Sequence, residues 1–180
     1  FISSTGYSTG GTKLAKSPDP SHVLSLEAQI GAQLIQKQLS VAFAESCTGG
    51  RISSRITAVP GSSRYFESAC ITYSNRSKVR LLSIPEALLN EKGAVSPEAA
   101  AAMAEGIRKN EGADLGLAVT GIAGPGGGSD EKPVGLVYIA LSDMHQCHVT
   151  RCYFQGDREA IQAEATQRAL EILLHYLSTP

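Results

Sequence analysis

The chain predicts an α/β fold: a single layered α/β/α domain with a mixed, mostly parallel sheet and a hairpin in its C-terminal half. Three observations carry this. Short apolar runs, Val41 to Ala44, Ala69 to Thr72 and Leu115 to Val119, each stop abruptly in ESCTGG, YSNRSK and TGIAGPGGG. Buried strands of an open sheet end this way, before loops that face a ligand. Stripes of apolar residues at helical spacing alternate with these runs. Two more apolar runs, Val134 to Leu141 and Cys147 to Phe154, are joined by a short polar link, which makes them antiparallel neighbours.

Taken in order, residues 1–20 are rich in Ser, Thr and Gly, end in SPDP and show no periodicity, so they read as a flexible tail. Residues 21–180 form the domain. From His22 to Leu39, the positions Leu26, Ile30 and Leu34 make a helical stripe. A strand runs through Ala44, and SCTGGRISSRIT is a turn opening into a helix, closed by Pro60-Gly61-Ser62. Phe66 to Tyr73 is the second strand and Asn75 to Leu82 a short helix. Ser96 and Pro97 suit the cap and first position of a further helix, and Gly112 its left-handed stop. Leu115 to Val119 is the third strand. After the hairpin, Asp157 caps a last helix whose buried face is Ile161, Ala165, Ala169, Leu173 and Leu177.

With 180 residues, the chain can bury one substantial core. A formal charge of -1 lacks the one-signed surface used to bind nucleic acid or anionic membranes by bulk electrostatics. No apolar stretch approaches the roughly 20 residues that span a bilayer. The start has neither the basic end nor the apolar centre of a signal peptide. Its first residue is Phe1, without an initiator Met, so a longer parent chain is expected. Cys47, Cys70, Cys147 and Cys152 form no CxxC pair and read as free thiols of a reducing cytoplasm.

The chemistry concentrates at the strand ends. Ser46 follows a strand at the mouth of a helix, where free N–H groups favour a developing oxyanion. Gly49 and Gly50 would let a substrate approach the main chain. The competing reading makes Ser46 a helix cap. Cys47 is a second candidate nucleophile, yet a thiol usually needs a His base, and none of the four histidines is well placed. Lys78 can serve as base to a Ser if burial or a neighbouring cation lowers its pKa. Tyr73 could relay the proton or bind the oxyanion. In isolation, YSNRSK favours a solvated Lys and a half-buried Tyr over a catalytic pair. TGIAGPGGG could cradle a phosphate or carboxamide, but it lacks the P-loop ending and the GxGxxG spacing. His145, Cys147, His148 and Cys152 do not converge on one strand face, so no metal is expected there. Arg158 is a candidate phosphate contact or a plain surface side chain.

Together, AESCTGG (Ala44 to Gly50), VPGSSRYF, ITYSNRSK (Ile71 to Lys78), GAVSPE, AVTGIAGPGGG (Ala118 to Gly128), EKPVGLVYIAL and FQGDRE (Phe154 to Glu159) resemble the C-terminal domain of the competence/damage-inducible protein A family. The resemblance runs from about Leu24 to Leu177. It implies a nicotinamide-nucleotide amidase, which hydrolyses the carboxamide of nicotinamide mononucleotide to nicotinic acid mononucleotide and ammonia. Ser46 is then the expected nucleophile, with Tyr73 and Lys78 as its activating partners. Thr120 and Arg158 are expected substrate contacts, joined by Cys47, Thr48, Gly49, Asn75 and Gly121. The family is usually oligomeric, so a homo-oligomer without metal or other cofactor is expected. One departure stands out: after Ile161 a basic residue is expected and Gln162 is found. The alternative function is a catalytically silent nucleotide-binding module serving as a partner in competence or DNA-damage responses.

Overall fold

A computed structural model describes residues 24–179; the expected tail at 1–20 and the helix start at His22 lie outside them. Five strands, β1 (Val41–Glu45), β2 (Phe66–Ile71), β3 (Leu115–Gly121), β4 (Leu136–Ser142) and β5 (Cys147–Tyr153), form one sheet in the order β2-β1-β3-β4-β5. β1 is parallel to both its neighbours, whereas β4 is antiparallel to β3 and to β5. Four strands therefore share a direction and β4 opposes them. The sequence led to one antiparallel pair; the second, β3 with β4, arises because residues 122–135 contain no helix. Without a crossover element the chain turns straight back.

Among the described residues, six α-helices cover the sheet: α1 (Leu26–Lys37), α2 (Arg51–Thr57), α3 (Asn75–Leu82), α4 (Glu86–Lys92), α5 (Pro97–Glu111) and α6 (Arg158–Ser178). Alternation along each strand divides the core between two faces. On one, Val41, Phe43, Leu117, Val119, Ile139 and Leu141 pack with α1, α2 and α6. On the other, Ala42, Ala44, Ala118 and Ala140 meet α5, with α3 and α4 beside it. Those small residues let α5 lie close on the strands. At Gly116 a Cβ would stand 2.1 Å from the Ala104 carbonyl oxygen, so only glycine fits. Ser96 Oγ accepts the Ala99 N–H at 3.1 Å and Gly112 closes α5 at φ 65, as its sequence predicts.

Differences from the sequence reading lie at ends and in short pieces. β2 stops at Ile71, two residues early, and β4 starts at Leu136, because the chain leaves the sheet to build the cleft described below. α4 was not anticipated: seven residues, one buried side chain (Leu89) and no side-chain cap leave little periodic signal. No helix among the described residues is long and apolar enough to cross a membrane.

Candidate active site

The site grows from the carboxyl end of β1. Ser46 continues the sheet by one bond, its N–H donating to the Val119 carbonyl at 3.0 Å. The chain then turns through residues 47–50 into α2, with Gly49 and Gly50 at φ 61 and 96, where a side chain would strain the backbone. Gly50, the N-cap, has no side chain to satisfy the helix start. Glu45 does that work from the strand. Fully buried, its Oε2 accepts the Thr48 hydroxyl at 2.7 Å and the Gly50 and Ile52 N–H groups at 2.8 and 3.3 Å. Its Oε1 accepts both the N–H, at 2.9 Å, and the hydroxyl of Ser53. A carboxylate thus meets the positive end of α2 and takes its orphan donors. Sequence reasoning passed over Glu45; the available signal was an acid placed directly before a turn into a helix.

Since Glu45 caps α2, Ser46 does not. Its hydroxyl faces Lys78 instead. The reciprocal Ser74–Ser77 capping box starts α3 directly after β2 and brings Lys78, four residues beyond the cap, against the strand ends. Lys78 Nζ donates to the Thr72 carbonyl at 2.6 Å and to Ser46 Oγ at 3.2 Å. The Thr72 N–H in turn donates to the Glu45 carbonyl at 2.8 Å, which fixes β2 beside the turn. Only 1% of Lys78 is exposed, and burial lowers its pKa to about 8. A solvated lysine this is not.

Across the cleft, Asp157 caps α6 by accepting the Ala160 N–H at 2.9 Å, and Arg158 projects over the opening. Its Nη1 donates to the Gly124 carbonyl at 2.9 Å and its Nη2 to the Tyr73 hydroxyl. Tyr73 is 60% exposed, and among the described residues no hydrogen bond joins it to Ser46 or Lys78. Thr120, buried at the end of β3, donates its hydroxyl to the Ala94 carbonyl at 2.8 Å and so ties residues 93–95 to the sheet. Ser46, Cys47, Tyr73, Lys78, Thr120 and Arg158, with Ala94, Val95 and residues 121–124, 126 and 127, line a cleft of about 260 Å³.

Three expected contacts stand outside that lining. Thr48 is wholly buried with its hydroxyl committed to Glu45, Gly49 faces solvent in the turn, and Asn75 is exposed in the first turn of α3. Cys47 lines the cleft, but burial pushes its thiol up to about 12, so it carries no thiolate near neutral pH. Gln162 stands where the family resemblance leads to a basic residue. Its side chain is buried and its Nε2 donates to the Cys47 carbonyl at 2.6 Å, away from the cleft lining. Among the described residues no group of three or more His, Cys, Asp or Glu is placed to hold a metal ion.

These segments are shared with known proteins. The family model for the CinA C-terminal domain matches residues 23–177. The chain belongs to that family. A putative competence-damage inducible protein of Moorella thermoacetica is 52% identical over 149 residues, which are 83% of this chain and 36% of that protein. A CinA-like protein of Geobacter sulfurreducens is 52% identical over 155 residues, 86% of this chain and 38% of its own length. The chain thus spans little more than a third of these curated relatives. Among solved structures, a competence/damage inducible protein from Agrobacterium tumefaciens superimposes with a TM-score of 0.82 at 38% identity, covering 86% of this chain and 94% of that one. The competence damage-inducible protein A from Klebsiella pneumoniae gives 0.82 at 33% identity, covering 85% and 95%.

Proposed function

We propose that this domain hydrolyses the carboxamide of nicotinamide mononucleotide, releasing ammonia and nicotinic acid mononucleotide through an acyl ester on Ser46. The observation that carries the reading is the buried Lys78 amine 3.2 Å from Ser46 Oγ, with its pKa lowered to about 8. At pH 7 about one molecule in ten then holds a neutral amine, against fewer than one in a thousand for an ordinary lysine. A neutral amine has two N–H bonds and one lone pair. The Thr72 carbonyl engages an N–H, which leaves the lone pair free to accept the Ser46 proton.

Lys78 takes the hydroxyl proton as Ser46 Oγ bonds to the carboxamide carbon, and the carbonyl electrons move onto oxygen. Within the turn, the Gly49 N–H is held by the Ser46 carbonyl and the Gly50 N–H by Glu45. The Cys47 and Thr48 N–H groups have no protein acceptor among the described residues; of the two only Cys47 lines the cleft, and its N–H is the donor we assign to the oxyanion. When the oxyanion collapses, the C–N bond breaks and the departing nitrogen takes the proton from the Lys78 ammonium, leaving as ammonia. Water then adds to the ester while Lys78 accepts its proton. That proton returns to Ser46 as the acyl–oxygen bond breaks. Arg158, with the N-terminus of α6 behind it, supplies positive charge for the nucleotide phosphate, and Tyr73 orients the substrate beside it.

An ammonia-release assay without added metal tests this, using nicotinamide mononucleotide, nicotinamide riboside and nicotinamide. Turnover of the mononucleotide, lost in Ser46→Ala and in Lys78→Met, is expected. Tight binding of the mononucleotide with no ammonia would instead identify the silent binding module.

A further inference from the structure

A buried amide on α6 reaches across the molecule to the turn that carries the nucleophile. Gln162 is 7% exposed, lies between the core residues Ile161 and Ala165, and donates from Nε2 to the Cys47 carbonyl at 2.6 Å. Burying an amide among apolar neighbours is unfavourable unless its hydrogen bonds are made, so this bond accounts for a polar residue at that position. Gln162 also stands four residues after Arg158, on the same face of α6. One helix face therefore touches the rim of the cleft through Arg158 and the nucleophile turn through Gln162.

We propose that Gln162 is a positioning residue: it fixes the main chain immediately after Ser46 and keeps the serine hydroxyl and the Cys47 N–H in register with Arg158 across the cleft. The turn is otherwise held from β3, where the Val119 carbonyl accepts the Ser46 N–H, and from β1, where the Glu45 carboxylate accepts the Thr48 hydroxyl and the Gly50 N–H. Both anchors are local to the sheet. Among the described residues, the Gln162 bond is the one hydrogen bond that links the turn to the helix facing the substrate's far side. Without it, the Cys47 carbonyl is released and residues 46–48 can rotate relative to α6. A displacement of about 1 Å at a reacting centre can cost on the order of 100-fold in rate. Substrate affinity, set by Arg158 and the cleft walls, changes little.

This inference rests on Ser46 being the nucleophile, and the experiment separates the two ideas. For wild type, Gln162→Met and Gln162→Lys, ammonia release is measured as kcat and KM, alongside the rate at which a fluorophosphonate labels Ser46. Methionine has similar length and no donor; lysine keeps one. The Met variant should lose about 10- to 100-fold in kcat and in labelling rate with KM within about threefold, and the Lys variant should recover most of the loss. Labelling of the Met variant within twofold of wild type overturns the proposal, as does an equal loss in Met and Lys variants that are both folded. If Gln162→Met does not fold, Gln162→Asn, too short to reach Cys47, is held to the same outcomes. Wild type that is labelled but releases no ammonia sinks the substrate reading alone, with the labelling rates still deciding Gln162. Wild type that is neither active nor labelled overturns both.

Discussion

Two hollows of the molecule lie at opposite ends of the sheet, and the larger is chemically the quieter. At the end of the sheet where β1 begins, a cavity of about 860 Å³ lies between α6, the end of α1 and the β4–β5 hairpin, and contains His148, Arg168, Glu171, His175 and Tyr176. Its groups are already engaged or solvated. Arg168 donates to Glu171, and Tyr176 donates to Asp143 at 2.8 Å, where burial and that carboxylate push the phenol up to about 12. Both histidines face water. The cleft at the opposite end is under a third of that volume, yet it holds an amine with no carboxylate partner beside a hydroxyl it can reach. Reactivity follows the uncompensated buried group rather than the volume.

The comparison breaks most sharply at Ser46. Ser46→Ala should reduce ammonia release by roughly 10³-fold or more, with binding of nicotinamide mononucleotide retained in calorimetry. Substantial turnover in that variant would dissolve the distinction between the two hollows.

Lys78 sharpens it through stability. In the unfolded chain an ordinary lysine holds its proton up to about pH 10.5, whereas in the folded protein it releases it near 8. Between those values the unfolded state binds more protons, so stability rises with pH across that window. Below pH 8 both states are charged, and the burial penalty, of order 3 kcal/mol, is fully present. Lys78→Met should therefore raise the denaturation midpoint at pH 7, while losing about 10³-fold in activity, and flatten the rise between pH 8 and 10.5. A midpoint that falls on substitution would mean the amine is better paired than its surroundings indicate.

Packing far from either hollow should affect stability alone. Gly116→Ala pushes a methyl into the Ala104 carbonyl and should destabilise the protein by about 1–3 kcal/mol in urea unfolding, with KM unchanged in the folded fraction. The smallest effect belongs to the larger cavity: His148→Ala and His175→Ala should each leave kcat/KM within about twofold of wild type. A loss beyond tenfold in either would give that cavity a part in the reaction.

Much of this was legible in the chain, for identifiable reasons. The central strands β1, β3 and β4 showed because both their faces are buried, so their apolar runs are unbroken. Ser96, Pro97 and Asp157 marked helix starts because capping is local, settled within three residues. The pairing of Ser46 with Lys78 was reached through motifs, since 32 residues separate them and only the closeness of β1 to β2 brings them together. What stayed hidden depends on contacts across the fold. Glu45 looks like a strand end until the turn folds back over it. Gln162 meets Cys47 across 115 residues, and Arg158 meets Tyr73 across 85. No periodicity encodes such partners. Thr48 illustrates the converse: its place in the motif suggested substrate contact, whereas its hydroxyl is spent on Glu45.

The most direct measurement is the rate of Ser46 acylation as a function of pH, followed in wild type and in Lys78→Met. A neutral lysine acting as base predicts a rate that climbs about tenfold per unit at low pH, bends near pH 8 and levels above it, with the variant slow throughout. A wild-type rate that is flat from pH 6 to 9, or a variant that matches wild type, would contradict the Ser46–Lys78 pair.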